Sequence, residues 1–216
     1  VAISDPGYRD FVMLALRGNP DAYRARPEAA GVSYRLATAG PDKCRRLSQR
    51  LTELHQDVFA AQDFGREAAA DLERGLAAAA NTPSVIEIAL RDEHQLPTYS
   101  FNDGGYRLNA TPLTAQRATY SLSELDRKAP PCNTWRLPGP IADANEVRLH
   151  RLTVAWQAGP GNQMFELSET EARAFEARNP ERRVRLVTRL RVAPPAEGFG
   201  PLEGRVLHVD MFDAAT

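Results

Sequence analysis

Between Pro41 and Ala80, Cys44, Leu47, Leu51, Leu54, Val58, Ala61, Gly65, Ala68, Leu72, Gly75 and Ala79 recur at steps of three and four. That spacing lines one face of an α-helix with apolar and small side chains. Unbroken, such a helix would be ~60 Å long at 1.5 Å per residue, so a break is expected near Asp63-Phe64-Gly65. Ala and Gly dominate its second half and leave room for another element to approach closely. Upstream, Tyr8 to Leu16 predicts a short helix, entered through Asp5 and Pro6 and stopped at Gly18-Asn19-Pro20. From Asp21 to Gly40 the chain has little periodicity and carries Pro27, Gly31 and Gly40, which reads as an irregular connector with one helical turn.

After Asn81-Thr82-Pro83 the period falls to two. Val85 to Arg91 predicts a strand, and Thr98 to Asn109 a hairpin whose Asn102-Asp103-Gly104-Gly105 turn supplies positive-φ residues. Arg117 to Leu122 reads as a further strand, and the four prolines between Ala129 and Pro140 make that stretch a rigid loop. Glu146 to Ala158 alternates with His150, Leu152, Val154 and Trp156 on one face. Val147 and Leu149 fall on the other, which calls for a bulge or for burial on both sides. Gly159-Pro160-Gly161-Asn162 is a turn into Gln163 to Leu167. Ser168 to Glu171 then has the spacing of a capping box opening a helix over Glu169 to Arg178, stopped by Asn179-Pro180. Two strands close the chain, Arg183 to Ala193 and Arg205 to Phe212.

Helices first and strands later predict an α+β fold with the long N-terminal helix packed on a mostly antiparallel sheet. A chain of 216 residues can bury one core without staples, so one domain over 1–216 is expected, helical to residue 82 and mostly β from residue 83 with one short helix.

Charge changes little in this picture. The 27 basic and 28 acidic residues leave a net charge of −1, so no overall field steers the protein toward nucleic acid or an anionic membrane. Lys43 and Lys128 are the only lysines, a skew toward Arg that GC-rich coding DNA of a bacterial source explains. No apolar run approaches the ~20 residues that span a bilayer. A start at Val1 rather than Met is what removal of a signal peptide would leave, and equally what trimming would leave.

Cys44 and Cys132 have no CxxC spacing and no His at metal-ligand spacing. The even count and the Pro-rich loop around Cys132 predict a disulfide between them, and with it a periplasmic or secreted protein. Two buried thiols in a cytoplasmic protein are the alternative.

Candidate chemistry is sparse. On the strand Arg183 to Ala193, Val184, Leu186, Thr188, Leu190 and Val192 face one way, while Arg183, Arg185, Arg189 and Arg191 face the other, interrupted by Val187. Such a stripe suits an acidic partner through bidentate bonds, or else pairs with Asp210, Glu203 and other nearby carboxylates. The strand offers no aromatic platform for bases, which argues against nucleic acid. His208 and Asp210, two apart on the last strand, share a face and could form an Asp-oriented general base, with no third member visible. Asp92-Glu93-His94 is expected to be a polar turn rather than a metal site, since adjacent side chains diverge. His55 borders the long apolar stripe, and His150 reads as a semi-buried, hydrogen-bonded side chain. No phosphate-binding loop, dinucleotide fingerprint, zinc-protease motif or calcium loop is present, so neither a cofactor nor a metal is expected.

Two stretches, LPTYSFNDGGYRLNATPL and LTVAWQAGPGNQMFELSETEARAFEARNPERRVRLVTRLRV, cover about a quarter of the chain. They resemble an uncharacterised family of exported bacterial proteins, in which a Tyr-x-Phe hairpin with a Gly-aromatic return precedes a strand, a Ser-x-x-Glu-Ala helix and an Arg-rich strand. The resemblance implies export from a bacterium and no particular activity. The expectation is therefore a non-catalytic exported binding protein whose partner is another protein. A hydrolase using His208 and Asp210, and a structural protein self-associating through the long helix, are the alternatives.

Overall fold

The computed structural model describes residues 6–108, 118–124, 131–132, 137–157 and 163–214. Outside them lie the Asp5 cap, Lys128, most of the Pro-rich loop and the Gly159 to Asn162 turn. The fold is α+β, as the change of period predicts. Five helices come first: α1 (Tyr8–Gly18), α2 (Pro20–Arg24), α3 (Pro27–Thr38), α4 (Pro41–Leu54) and α5 (Val58–Ala79). Two more, α6 (Ala144–Val147) and α7 (Glu169–Arg178), stand among the strands β1 (Ile86–Gln95), β2 (Gly105–Leu108), β3 (Ala118–Ser121), β4 (Thr153–Trp156), β5 (Gln163–Glu166), β6 (Arg183–Ala193) and β7 (Leu202–Asp213). One sheet has the order β1-β6-β7-β4-β3, and β2 pairs with β5 in a second. The chain divides into two compact units, one of residues 1–86, 120–154 and 192–203, the other of 87–119, 155–191 and 204–216.

In the first unit α5 packs on α3 and α1. The small residues of α5 are what permit this. A Cβ placed on Gly31 of α3 would sit 2.2 Å from the carbonyl oxygen of Ala68, and one on Gly75 of α5 would sit 2.7 Å from the ring of Tyr34. Gly31 is thus a point of backbone contact inside a helix rather than a chain break, which is why the irregular connector expected over Asp21 to Gly40 is instead α2 and α3. The expected long helix is broken earlier than Asp63-Phe64-Gly65. α4 ends at Leu54, and Asp57 caps α5 by accepting a hydrogen bond from the Ala60 N–H at 2.9 Å. Leu51, Leu54 and Leu72 are buried as the stripe requires, but Val58, in the first turn after the break, is exposed. α1 is capped by Gly7, whose N–H donates to the Asp10 carboxylate at 2.9 Å.

Cys44 and Cys132 are bonded, with sulfurs 2.10 Å apart, joining the first turn of α4 to the segment at 131–132. The Cys132 N–H also donates to the carbonyl of Leu36 on α3 at 2.9 Å. The strand expected over Glu146 to Ala158 is three elements. α6 ends where Arg148 takes a positive φ of 60°, a 3-10 turn covers Leu149–Arg151, and only Thr153 to Trp156 is strand. Changing element resets which side faces inward, so Val147, Leu149, Leu152 and Val154 are all buried with no bulge.

In the second unit Leu96, Tyr106, Leu108, Ala172, Phe175, Val184 and Leu186 form a core, with Val209 and Met211 packed against it. β1 runs on to Gln95, so Asp92-Glu93-His94 is strand and not the expected turn. The expected hairpin keeps its turn, with Gly104 at φ 67°, but reduces to a single bridge between Ser100 and Gly105. Its second arm pairs antiparallel with β5, Tyr106 opposite Phe165. The capping box of α7 forms as expected: Ser168 N–H donates to Glu171 Oε2 at 2.9 Å and Glu171 N–H to Ser168 Oγ at 3.3 Å.

Candidate functional site

Alternation along β6 is strict. Val184, Leu186, Thr188, Leu190 and Val192 are buried, and Arg183, Arg185, Arg189 and Arg191 are exposed, with Val187 half-buried among them. β6 lies between β1 and β7, so the face is completed from both sides. Leu96 N–H donates to the Arg182 carbonyl at 2.9 Å, and Arg191 Nη2 reaches Glu87 at 2.9 Å. This register carries half-buried Glu87 and exposed Arg91 and Glu93 of β1 alongside the arginines. β7 contributes Asp210 and Phe212, since Val209 and Met211 turn to the core.

The face is a shallow depression of about 590 Å³ lined by Arg91, Asp92, Glu93, Arg185, Val187, Arg189, Asp210 and Phe212. Three of the predicted arginines are engaged: Arg183 with Glu181 at 2.7 Å, Arg191 with Glu87, and Arg189 with Asp210 at 3.9 Å. Arg185 and Arg91 form no ion pair among the described residues. Phe212, 52% exposed, stands beside them.

The structure brings His208 and Asp210 together, Nε2 to Oδ2 at 3.2 Å, and Asp210 shares the same oxygen with Arg189. Both side chains are about half exposed, at 50% and 41%. The hydroxyl nearest in sequence on this sheet, Thr188, points to the opposite, buried face. What forms is an Arg189–Asp210–His208 chain on open surface.

Asp92-Glu93-His94 does not converge, because strand alternation sends Glu93 outward and turns His94 inward, where its Nε2 is buried without a partner among the described residues. No cluster of three His, Cys, Asp or Glu able to hold a metal occurs among the described residues. His55 caps the end of α4 and is exposed. His150 is fully buried in the 3-10 turn, its Nδ1 2.8 Å from the hydroxyl of Ser33 on α3. Burial, reinforced by the charge of Arg151, pushes it down to about 4, so the ring is neutral at physiological pH.

Arg91 and Phe212 were not singled out from the sequence. The signal was there in the parity of Phe212 with Asp210, but placing Arg91 requires β1 to lie next to β6, which no local pattern states. The chain matches no family model, and no curated protein and no solved structure is significantly similar to it. No helix among the described residues is long and apolar enough to cross a membrane.

Proposed function

We propose that this is a non-catalytic binding protein that engages an acidic segment of another protein through the arginine face of β1, β6 and β7. The observation that carries the reading is that Arg91 and Arg185 line one depression without an ion-pair partner among the described residues, next to an exposed Phe212. Protein interfaces are enriched in Arg and aromatic side chains, and a guanidinium holds a carboxylate through two parallel bonds. The whole face carries five arginines, Arg91, Arg183, Arg185, Arg189 and Arg191, and five carboxylates, Glu87, Asp92, Glu93, Glu181 and Asp210, of which Glu87, Glu181 and Asp210 are engaged by Arg191, Arg183 and Arg189. Half-exposed positions for His208 and Asp210 suit recognition better than hydrolysis, which relies on charge preorganised in a site shielded from bulk solvent. The Cys44–Cys132 bond supports an oxidising compartment, so the proposed setting is the bacterial periplasm or the cell exterior.

A fluorescent oligoglutamate peptide tests this. It should bind at low salt and be released as salt is raised, and Arg91→Gln with Arg185→Gln should weaken it about tenfold, roughly 1.4 kcal/mol. Equal affinity in the double variant would remove the reading, and tighter binding of a single-stranded oligonucleotide of the same length would replace it.

A further inference from the structure

Helices α3, α4 and α5 of the first unit line an open cavity of about 460 Å³ that shares no residue with the arginine face. Its walls follow from helical spacing. Lys43, Arg46 and Leu47 lie three and four apart on one side of α4, and Tyr34, Arg35 and Thr38 do the same on α3. Asp71 and Arg74 are three apart on α5. Ala39, buried at the end of α3, completes the lining.

Charge is lopsided here. Four cations, Arg35, Lys43, Arg46 and Arg74, face one carboxylate, and Asp71 is bonded to both Arg35 and Arg74. Arg35 is further occupied, with its guanidinium 4.9 Å from the centre of the Phe64 ring and 3.8 Å from Glu67. Lys43 and Arg46 have no ion-pair partner among the described residues, although acids stand one helical turn from each of several other arginines on this surface. The remaining lining is apolar or neutral: Ala39, Leu47, Thr38 and the Tyr34 ring, which rests against Gly75 where any side chain would collide with it. Burial, ahead of the charges of Arg9, Asp71 and Arg74, raises the Tyr34 hydroxyl, leaving a neutral donor.

The α4 wall is held in place from outside. Cys44, next to Lys43, is bonded to Cys132, whose N–H is tied to Leu36 of α3. α4 itself buries only Leu51 and Leu54, at its far end. The disulfide therefore fixes the cation-bearing turn of α4 against α3, and a ligand finds the cations already in position.

We infer that this cavity is a binding site for a small amphipathic anion, an aromatic or otherwise apolar body carrying a carboxylate or phosphate. The acidic group sits between Lys43 and Arg46, and the body lies against Tyr34, Ala39 and Leu47. Its size falls within the range of small-molecule pockets, about 300–1,000 Å³. An inorganic anion would leave the apolar wall unused, and a neutral ligand would leave the two cations unanswered.

Calorimetric titration of the oxidised protein with naphthalene-2-carboxylate, 1-naphthyl phosphate, the neutral naphthalene-2-methanol and inorganic phosphate tests the assignment. One or both aryl anions should bind at least about tenfold more tightly than the neutral alcohol and than phosphate, with affinity falling as salt rises. Which of the two is preferred identifies the acidic group. Lys43→Gln with Arg46→Gln should abolish that preference, while Arg91→Gln with Arg185→Gln, outside the cavity, should leave it intact. The salt series on the unmodified protein decides the matter even if the α4 variant folds poorly. Absence of binding, equal binding of the alcohol, equal binding of inorganic phosphate, or unaltered affinity in the α4 variant would each overturn it.

Discussion

His150 shows what one buried side chain contributes. Its ring is held neutral between Ser33 and the surrounding core, with a folded value of about 4 against 6.5 when solvated. Between those values the unfolded chain binds the extra proton, so stability rises with pH across that window. The contribution is fully present above about 6.5 and lost as pH falls toward 4. At 1.36 kcal/mol per unit the swing is about 3 kcal/mol. Replacing His150 with Gln should flatten the difference in urea midpoint between pH 4 and pH 7, measured against the unmodified protein. An identical slope in the two proteins would show that His150 is not buried in its neutral form. From the sequence His150 read as semi-buried on a strand; the alternation of Leu152, Val154 and Trp156 extended one element too far.

At the scale of elements, Gly31 and Gly75 decide how α3 and α5 meet. Helix propensity favours Ala over Gly by about 1 kcal/mol. At Gly31, however, the added methyl meets the Ala68 backbone, which cannot turn aside as a side chain can. Gly31→Ala should therefore destabilise by about 2 kcal/mol or more, within the range for overpacking, and a raised unfolding midpoint would mean the helices are not in that contact. The same glycine explains where sequence reading failed: glycine marks breaks and close packing alike, and only the partner helix tells which. The α4–α5 break was hidden for a related reason. Leu54 and Val58 are four apart, so the helical stripe runs across it unbroken, and only the Asp57 cap betrays it. By contrast β6, α7 and its Ser168 cap were legible, because strict alternation and capping are local chemistry. The face they support was half legible, since Arg185 and Arg189 are set by parity but Arg91 by the order of strands.

For the molecule as a whole, the disulfide is the largest single constraint. It closes a loop between residues 88 apart in sequence, for which chain entropy gives about 4–5 kcal/mol. Cys44→Ser with Cys132→Ser should lower stability by an amount of that order, read from the shift in denaturant midpoint. A shift below about 1 kcal/mol would show that the unfolded chain is not restrained by the bond. The proposed docking surface is the exposed face of β1, β6 and the end of β7. Its most direct test is the footprint of an acidic peptide on the ¹⁵N-labelled protein, followed amide by amide at low salt. Docking there should concentrate the shifts at Arg91, Arg185, Val187, Arg189 and Phe212, and high salt should abolish them. Shifts scattered over the other arginines of the surface, or centred away from these strands, would contradict it.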